Sequence, residues 1–208
     1  MYKILISILF VISTTLSAQS RLDKPEMYIG ANFGVTESMI MFKPTILQGY
    51  LMGYNGGIVF RYIAEKNVGI QAELNFSQRG WQESSGIYSR QLNYVELPFM
   101  THIYVGRKNR FFFNIGPKIS YLISEKSILN AAVSTTEVQQ ITTVQHPFDY
   151  GLCTGIGLLF NINGKIIQLD TRANYSLSNI FDDQKKDYFA NSNNLNLSLN
   201  LAYLFQVK

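Results

Sequence analysis

The sequence has little of what metal sites and disulfide frameworks are built from. It holds one cysteine, Cys153, and two histidines, His102 and His146, among 208 residues. A single cysteine excludes an intramolecular disulfide and a cysteine-based metal cluster. The two histidines are too few and too far apart in sequence to indicate a metal site. We therefore predict no metal and no cofactor, and we expect Cys153 to be a buried, unreactive residue in an extended segment.

Charged residues and long apolar runs are also scarce. Charged residues make up 15% of the chain, against about 25% in typical soluble domains. Beyond the N-terminus, no apolar run approaches the roughly 20 residues of a transmembrane helix. The net charge of +4 is small and scattered, so it does not indicate a nucleic-acid partner. If this chain lies in a membrane, it must do so as a closed β-barrel, which satisfies every backbone group internally.

The N-terminus has the pattern of a secretory signal peptide. Lys3 supplies a positive charge, residues 4–16 are apolar, and the run ends in Leu16-Ser17-Ala18. The apolar part is short for a membrane anchor, and small residues stand where a signal peptidase would cut. We predict a signal peptide over residues 1–18 and one exported domain over residues 19–208.

The strongest pattern lies near the C-terminus, where residues 194–201 alternate leucine with asparagine or serine. Successive side chains of a strand point to opposite faces, so this alternation predicts a strand with one apolar and one polar face. Seven further segments show the same alternation at close to the length of a membrane-crossing strand. They are residues 27–36, 52–63, 68–79, 91–105, 110–122, 148–162 and 166–177.

The connections between these segments alternate between short and long. Residues 64–67, 106–109 and 163–165 are tight turns with suitable Gly and Asn residues. The stretches between them are longer: residues 37–51, 82–90, 123–147 and 178–192. This rhythm predicts an all-β fold, an eight-stranded antiparallel transmembrane β-barrel with short periplasmic turns and long extracellular loops.

Aromatic residues of the apolar faces lie toward the ends of the segments. Phe60, Phe111 and Phe205 are near the turns, and Tyr175 is near a long loop. Trp81 follows the end of its predicted strand. Such a distribution is typical of the two aromatic girdles at the membrane interfaces.

The polar faces carry charges of both signs in similar number. An eight-stranded barrel is just wide enough inside for side chains to fill it, and unpaired buried charges are costly. We therefore predict an ion-paired, filled interior, whereas a charge-lined conduction path is the alternative. Arg79, His102 and Asp149 lie nearer the strand ends. The predicted interior charge network consists of Arg61, Glu73, Glu96, Lys118, Asp170 and Arg172.

A catalytic pair of carboxylates, such as Glu73 with Glu96, is disfavoured because the nearby cations offer structural partners. No nucleophile or base motif accompanies these carboxylates. We predict no catalytic residues and no enzymatic activity.

The predicted loop of residues 37–51 is unusually apolar. A Met-rich flexible surface adapts to varied partners, so this loop is a candidate contact surface for a ligand or a partner. The plainer alternatives are a strand extended beyond the membrane or a loop folded over the barrel mouth. The residues in question are Met39, Met41, Phe42, Ile46 and Leu47.

Five motifs in order resemble the small outer-membrane β-barrel proteins grouped around PorT. They are Tyr94-Val95-Glu96-Leu97-Pro98, Gly116-Pro117, Asp149-Tyr150-Gly151, Arg172 with Tyr175, and Tyr203-Leu204-Phe205. The resemblance covers nearly all of the exported domain. It implies an outer-membrane barrel without shared catalytic residues, whose C-terminal strand is read by the barrel-assembly machinery. PorT itself is associated with protein secretion, but nothing in these motifs singles out that role.

Together these observations predict a structural or interaction barrel in the outer membrane of a diderm bacterium. The expected partners are outer-membrane lipid, the barrel-assembly machinery, and a protein or small molecule at the external loops. A narrow porin for small solutes is one alternative. Another is a secreted, lipocalin-like barrel, which would turn its leucine face inward to hold an apolar ligand.

Overall fold

A computed structural model describes residues 21–129, 137–183 and 188–207. The predicted signal peptide, residues 1–18, lies outside the described residues. The described residues form antiparallel strands and one short helix. Their bounds are β1 Arg21–Lys43, β2 Gln48–Gly49, β3 Leu51–Glu65, β4 Val68–Glu83, β5 Tyr88–Gly106, β6 Asn109–Leu129, α1 Val138–Ile141, β7 Phe148–Ile162, β8 Lys165–Ser176 and β9 Asn191–Gln206. Within the described chain, no helix is both long and apolar enough to cross a membrane.

The eight long strands pair in a ring. The order of neighbours is β4-β3-β1-β9-β8-β7-β6-β5, and β5 pairs in turn with β4. The first and last strands pair from Tyr28↔Gln206 to Lys43↔Asn191. Among the strands of the described residues, only β2, two residues long, stands outside the ring, where it pairs with the end of β4.

Each strand turns its polar face into the ring. On β9, Leu197, Leu199 and Leu201 are 50–55% exposed. The residues between them, Ser198 and Asn200, are buried. The same alternation holds on the other long strands, as predicted from their periodicity. The leucine face therefore looks outward, and the lipocalin-like alternative, which needs it inside, is wrong.

Three tight turns join strands at one end of the ring, which we call the turn end. They are centred on Lys66-Asn67, Arg107-Lys108 and Asn163-Gly164. Asn67 and Gly164 adopt left-handed backbone angles, with φ of 72° and 81°. Glycine and asparagine tolerate this region, which explains the tightness of these turns. The other connections lie at the opposite end, the loop end.

The strands continue further toward the loop end than the sequence predicted. β1 reaches Lys43, and β4 and β5 remain paired as far as Gln82↔Ser89. The predicted loop of residues 82–90 shrinks to residues 84–87, and the loop of residues 37–51 shrinks to residues 44–50 around β2. The strict alternation of short and long connections is therefore wrong at residues 82–90. Pairing persists because side chains inside the loop end continue to pack against one another.

Candidate functional site

A group of three charges lies in the middle of the ring, centred on Arg172. Arg172 Nη1 lies 2.6 Å from Glu73 Oε2, and Arg172 Nε lies 2.5 Å from Asp170 Oδ2. Asp170 and Arg172 share the inward face of β8 because they are two residues apart. One guanidinium thus binds two carboxylates from different strands, as the fork of an arginine permits.

Arg61 joins this group through amides. Its Nε donates to Gln71 Oε1 at 2.9 Å, and its Nη2 donates to Gln168 Oε1. Gln71 in turn donates to Glu73, and Gln168 donates to Asp170. The two glutamines therefore connect Arg61 to the same pair of carboxylates that Arg172 holds.

A second group of charges lies nearer the loop end and is centred on Arg79. Arg79 Nη2 lies 2.7 Å from Asp149 Oδ2, and its Nη1 lies 3.4 Å from Glu96 Oε1. Lys118 Nζ also lies 3.4 Å from Glu96 Oε1. The hydroxyl of Ser176 donates to Asp149 at 2.8 Å. Arg79 and Asp149 were outside the predicted network, although their inward alternation on β4 and β7 could have identified them.

Taken together, the two groups carry no net formal charge. They contain four cations and four carboxylates, and none of the eight side chains is more than 7% exposed. Buried charges persist when they are paired and hydrogen-bonded. Seven of the eight side chains form an ion pair, whereas Arg61 is held by the two glutamine amides. Among the described residues, no cluster of His, Cys, Asp and Glu has the geometry of a metal site. The six predicted network residues thus occupy the interior, divided between two groups.

Apolar clusters occupy the two ends of the interior. The period-two pattern did not predict them, because it was expected to give polar inward faces along the whole of each strand. The turn-end cluster consists of Tyr28, Val59, Ile63, Tyr104, Phe112, Leu159, Ile166, Ala202 and Leu204. The loop-end cluster consists of Ile40, Phe42, Trp81, Tyr88, Leu92, Tyr94, Ile180, Phe181 and Phe189.

Trp81 is at the centre of the loop-end cluster. It is fully buried, and its ring packs edge-on against Phe42 and Phe181, with centroids 5.4 and 6.3 Å apart. Its predicted place in an outer aromatic girdle is therefore wrong. β4 continues past Arg79 to Glu83, so alternation turns Trp81 inward.

The five candidate contact residues of the predicted 37–51 loop do not form one surface. Met39, Met41 and Phe42 lie on β1, whereas Ile46 and Leu47 lie in the connection before β2. Phe42 is buried in the loop-end cluster, and Ile46 packs against that cluster. Leu47 is 82% exposed. The loop prediction is wrong for residues 37–43, which extend the strand and send alternate side chains inward.

A segment of residues 137–147 folds over the loop-end cluster. The buried Arg90 holds it, donating to the carbonyl oxygen of Gln140 at 2.8 Å and to that of Thr142. Glu83 accepts from the side-chain amide of Gln139 at 2.9 Å. The guanidinium of Arg90 also lies over the ring of Trp81, 5.4 Å from its centroid. No sequence motif indicated this arrangement.

The cysteine and the histidines occupy ordinary structural positions. As predicted, Cys153 is buried in a strand, β7. Its Sγ lies 3.5 Å from Met100 Sδ. His102 is buried, with Nδ1 2.7 Å from Asn114 Oδ1. His146 lies at the surface, with Nε2 2.8 Å from Asp182 Oδ1.

Comparison with known proteins finds no match among the curated proteins. Among solved structures, the fold is similar to Ail of Yersinia pestis, with 13% identity over 86% of this chain and 99% of Ail, and a TM-score of 0.44. It is similar to OprG of Pseudomonas aeruginosa, with 11% identity over 86% of this chain and 95% of OprG, and a TM-score of 0.49. It is also similar to Neisserial surface protein A, with 12% identity over 86% and 98% of the two chains, and a TM-score of 0.45.

The family comparison covers most of the sequence. The model of the outer membrane protein beta-barrel domain matches residues 17–182. The antiparallel strands, the apolar outer surface and the polar interior are those that such a domain needs in lipid. This chain therefore belongs to the outer membrane protein beta-barrel domain family.

Proposed function

We propose that this chain is an eight-stranded barrel spanning the outer membrane of a diderm bacterium, where it acts as a non-enzymatic interaction or structural protein. It is exported by a signal peptide over residues 1–18 and inserted by the barrel-assembly machinery. The turn end faces the periplasm and the loop end faces outside. The motifs shared with the PorT group support this assignment, and we propose that the chain is a PorT-like member of the family.

The observation that supports a sealed barrel is the filled interior. Four cations and four carboxylates are buried there. Arg172 and Arg79 each bind carboxylates from more than one strand. The turn-end and loop-end clusters lie on either side of this polar centre. Eight strands leave little free diameter, and these side chains occupy it.

A sealed barrel contacts its surroundings through its outer surface, and the loop end offers a sheet edge for this purpose. In the described chain, β6 pairs with β7 only as far as Tyr121↔Phe148, whereas its pairing with β5 continues to Leu129. Residues 123–129 therefore form a one-sided extension beyond the ring. An extended segment of a partner protein can add to such an edge through main-chain hydrogen bonds.

Fractionation and bilayer recordings test the sealed barrel. We expect the protein in detergent-extracted outer membrane, with faster gel migration before boiling than after. We expect silent planar bilayers at protein concentrations where a known porin in the same lipid gives current steps. Recovery in the soluble periplasm would overturn the membrane assignment. Reproducible current steps would show that the protein is a narrow porin and not a sealed barrel.

Site-specific photo-crosslinking on whole cells tests the contact role. A photoreactive residue at Leu129, on the β6 extension, is expected to give discrete protein adducts. The same residue at Arg107, in a turn at the opposite end, is the matched control and is expected to give a different pattern or none. Equal adducts at both positions, or none at Leu129, would contradict a partner at the loop end.

A further inference from the structure

The outward face of β1 carries a carboxylate in an otherwise apolar row. Glu37 is exposed on this face. Its partners in the register are Met52 on β3 and Leu197 on β9, both apolar. A charge on the outer face of a membrane barrel is destabilising unless it lies near an interface or finds a counter-charge. The full row is Ile29, Ala31, Phe33, Val35, Glu37, Met39 and Met41.

The register places Glu37 near the loop-end interface. Val35, one outward position closer to the turn end, pairs with Tyr54. On the loop-end side of Glu37, Leu195 of β9 pairs with Tyr175 of β8. Both tyrosines are exposed on the outer surface, and tyrosines mark the depth of lipid headgroups. The Glu37 carboxylate therefore lies where acyl chains meet headgroups.

Two clefts flank Glu37 on the outer surface. One has a volume of about 300 Å³ and the other about 340 Å³, and both are lined by Glu37 and Leu197. Thr171 lines the first and Ala173 the second. These are the small residues of an outward row that has Leu169 on one side and Tyr175 on the other. Small side chains between large ones leave a groove along β8.

The counter-charge for Glu37 is absent from the described chain. None of its Lys, Arg or His side chains forms an ion pair with Glu37. Within the described chain, the carboxylate is therefore open to a cation from the surrounding membrane. The groove beside it is apolar and opens toward lipid, so the cation must be attached to an apolar tail.

We propose that this groove binds a membrane lipid with a primary-amine headgroup. The ammonium group donates to the Glu37 carboxylate, and an acyl chain lies in the groove over Thr171 and Ala173. A charge-assisted hydrogen bond at the edge of the hydrocarbon is stronger than the same contact in water. This inference rests on the proposed membrane-spanning barrel.

Native mass spectrometry of the delipidated full-length protein tests the site. The protein is offered equal amounts of phosphatidylethanolamine, phosphatidylcholine and phosphatidylglycerol with identical acyl chains. We expect phosphatidylethanolamine adducts to exceed phosphatidylglycerol adducts by about fivefold, the ratio expected for a weak, partly exposed ion pair. Phosphatidylcholine, whose quaternary amine has no N–H to donate, is expected to be retained less than phosphatidylethanolamine.

Two variants separate the headgroup contact from the groove. Glu37→Gln keeps the size of the side chain and is expected to abolish the headgroup preference. Ala173→Phe fills the groove and is expected to reduce retention of all three lipids. Glu137→Gln removes an exposed carboxylate just before α1 and is the matched control, expected to leave both the preference and the total retention unchanged.

Several results would overturn the proposal. They are equal retention of phosphatidylethanolamine and phosphatidylglycerol by the unmodified protein, an unchanged preference in Glu37→Gln, or unchanged retention in Ala173→Phe. Phosphatidylcholine retained as well as phosphatidylethanolamine would exclude the primary amine. A dimer that depends on Glu37 would assign the groove to a second copy of the chain. If outer-membrane fractionation succeeds while the lipid preference is absent, only this inference fails and the proposed barrel stands.

Discussion

The guanidinium of Arg172 and the carboxylate of Glu73 meet across the full width of the barrel, with Nη1 2.6 Å from Oε2. Their strands, β8 and β4, are four positions apart in either direction around the ring. At this level the interior is therefore no wider than one arginine and one glutamate end to end. The pair joins opposite walls that share no backbone hydrogen bond.

Loss of this cross-barrel pair is expected to be strongly destabilising. Arg172→Met leaves Glu73 and Asp170 buried without their cation, and such losses cost about 3–5 kcal/mol. The measurement is the urea dependence of folding in lipid vesicles. Lys165→Met, at the exposed turn end of the same strand, is the control and is expected to change the free energy of unfolding by less than about 0.5 kcal/mol.

The coupling between the two positions can be measured separately. In a double-mutant cycle with Glu73→Gln and Arg172→Met, we expect a coupling energy of about 1–3 kcal/mol. Additive effects of the two substitutions would show that the two side chains are not energetically coupled.

The position of Trp81 can be tested by fluorescence, because it is the only tryptophan of the chain. Its ring is fully buried inside the loop-end cluster. Lipids brominated in the acyl chain quench tryptophans that contact them, so we expect little quenching of the folded protein in such bilayers. A Tyr175→Trp variant on a Trp81→Phe background presents its indole on the outer surface and is expected to be quenched. Strong quenching of Trp81 would show that its indole lies on the outer surface, as the aromatic girdle prediction requires.

Arg90 is expected to hold the 137–147 segment in place. Arg90→Lys keeps the charge but loses the planar fork that reaches the carbonyl oxygens of Gln140 and Thr142. Hydrogen bonds to a charged group contribute about 1.5–3 kcal/mol, so amide exchange over residues 138–144 should become about tenfold faster or more. Hydrogen-exchange mass spectrometry measures this rate. Arg107→Lys, in an exposed turn at the opposite end, should leave it unchanged, and unchanged exchange in Arg90→Lys would contradict the role.

Cys153 is expected to be unreactive in the folded protein. It is buried on the inward face of β7 against Met100, and thiol reagents require access to the sulfur. Maleimide should therefore label the protein in urea but not after folding in vesicles. On a Cys153→Ser background, Ser85→Cys places a thiol in the exposed 84–87 connection and should label in both states. Labelling of folded Cys153 at a similar rate would show an open interior.

Period-two alternation was enough to predict which face of each strand looks outward. The outward leucines of β9 and the inward Glu73 and Arg172 all follow from it. Alternation fixes only the direction of a side chain, however, and partners on opposite walls depend on strand order and stagger. The split into two charge groups and the linkage of Arg61 through Gln71 and Gln168 therefore required the structure.

The loop-end limits of β1 and β4 do not follow from the sequence pattern, for a different reason. Near the loop end the alternation continues, but the polarity of the inward positions changes, as Ser38 is followed by Ile40 and Phe42. If every inward position is expected to be polar, β1 is predicted to end at Thr36, and Trp81 is predicted to lie beyond the end of β4. Phe42 and Trp81 pack against each other inside the ring, and both strands therefore continue to the loop end. These longer strands could be predicted only if the inward positions near the loop end are expected to be apolar.

The apolar clusters at the two ends and the charges between them give the interior a polarity profile opposite to that of the bilayer. A membrane is polar at its two surfaces and apolar in the middle, whereas this interior is apolar near both ends and polar in the middle. Water or a proton crossing through the protein would meet an apolar barrier at entry and another at exit. If the barrel is sealed as we propose, it adds no path for ions or solutes across the membrane that holds it.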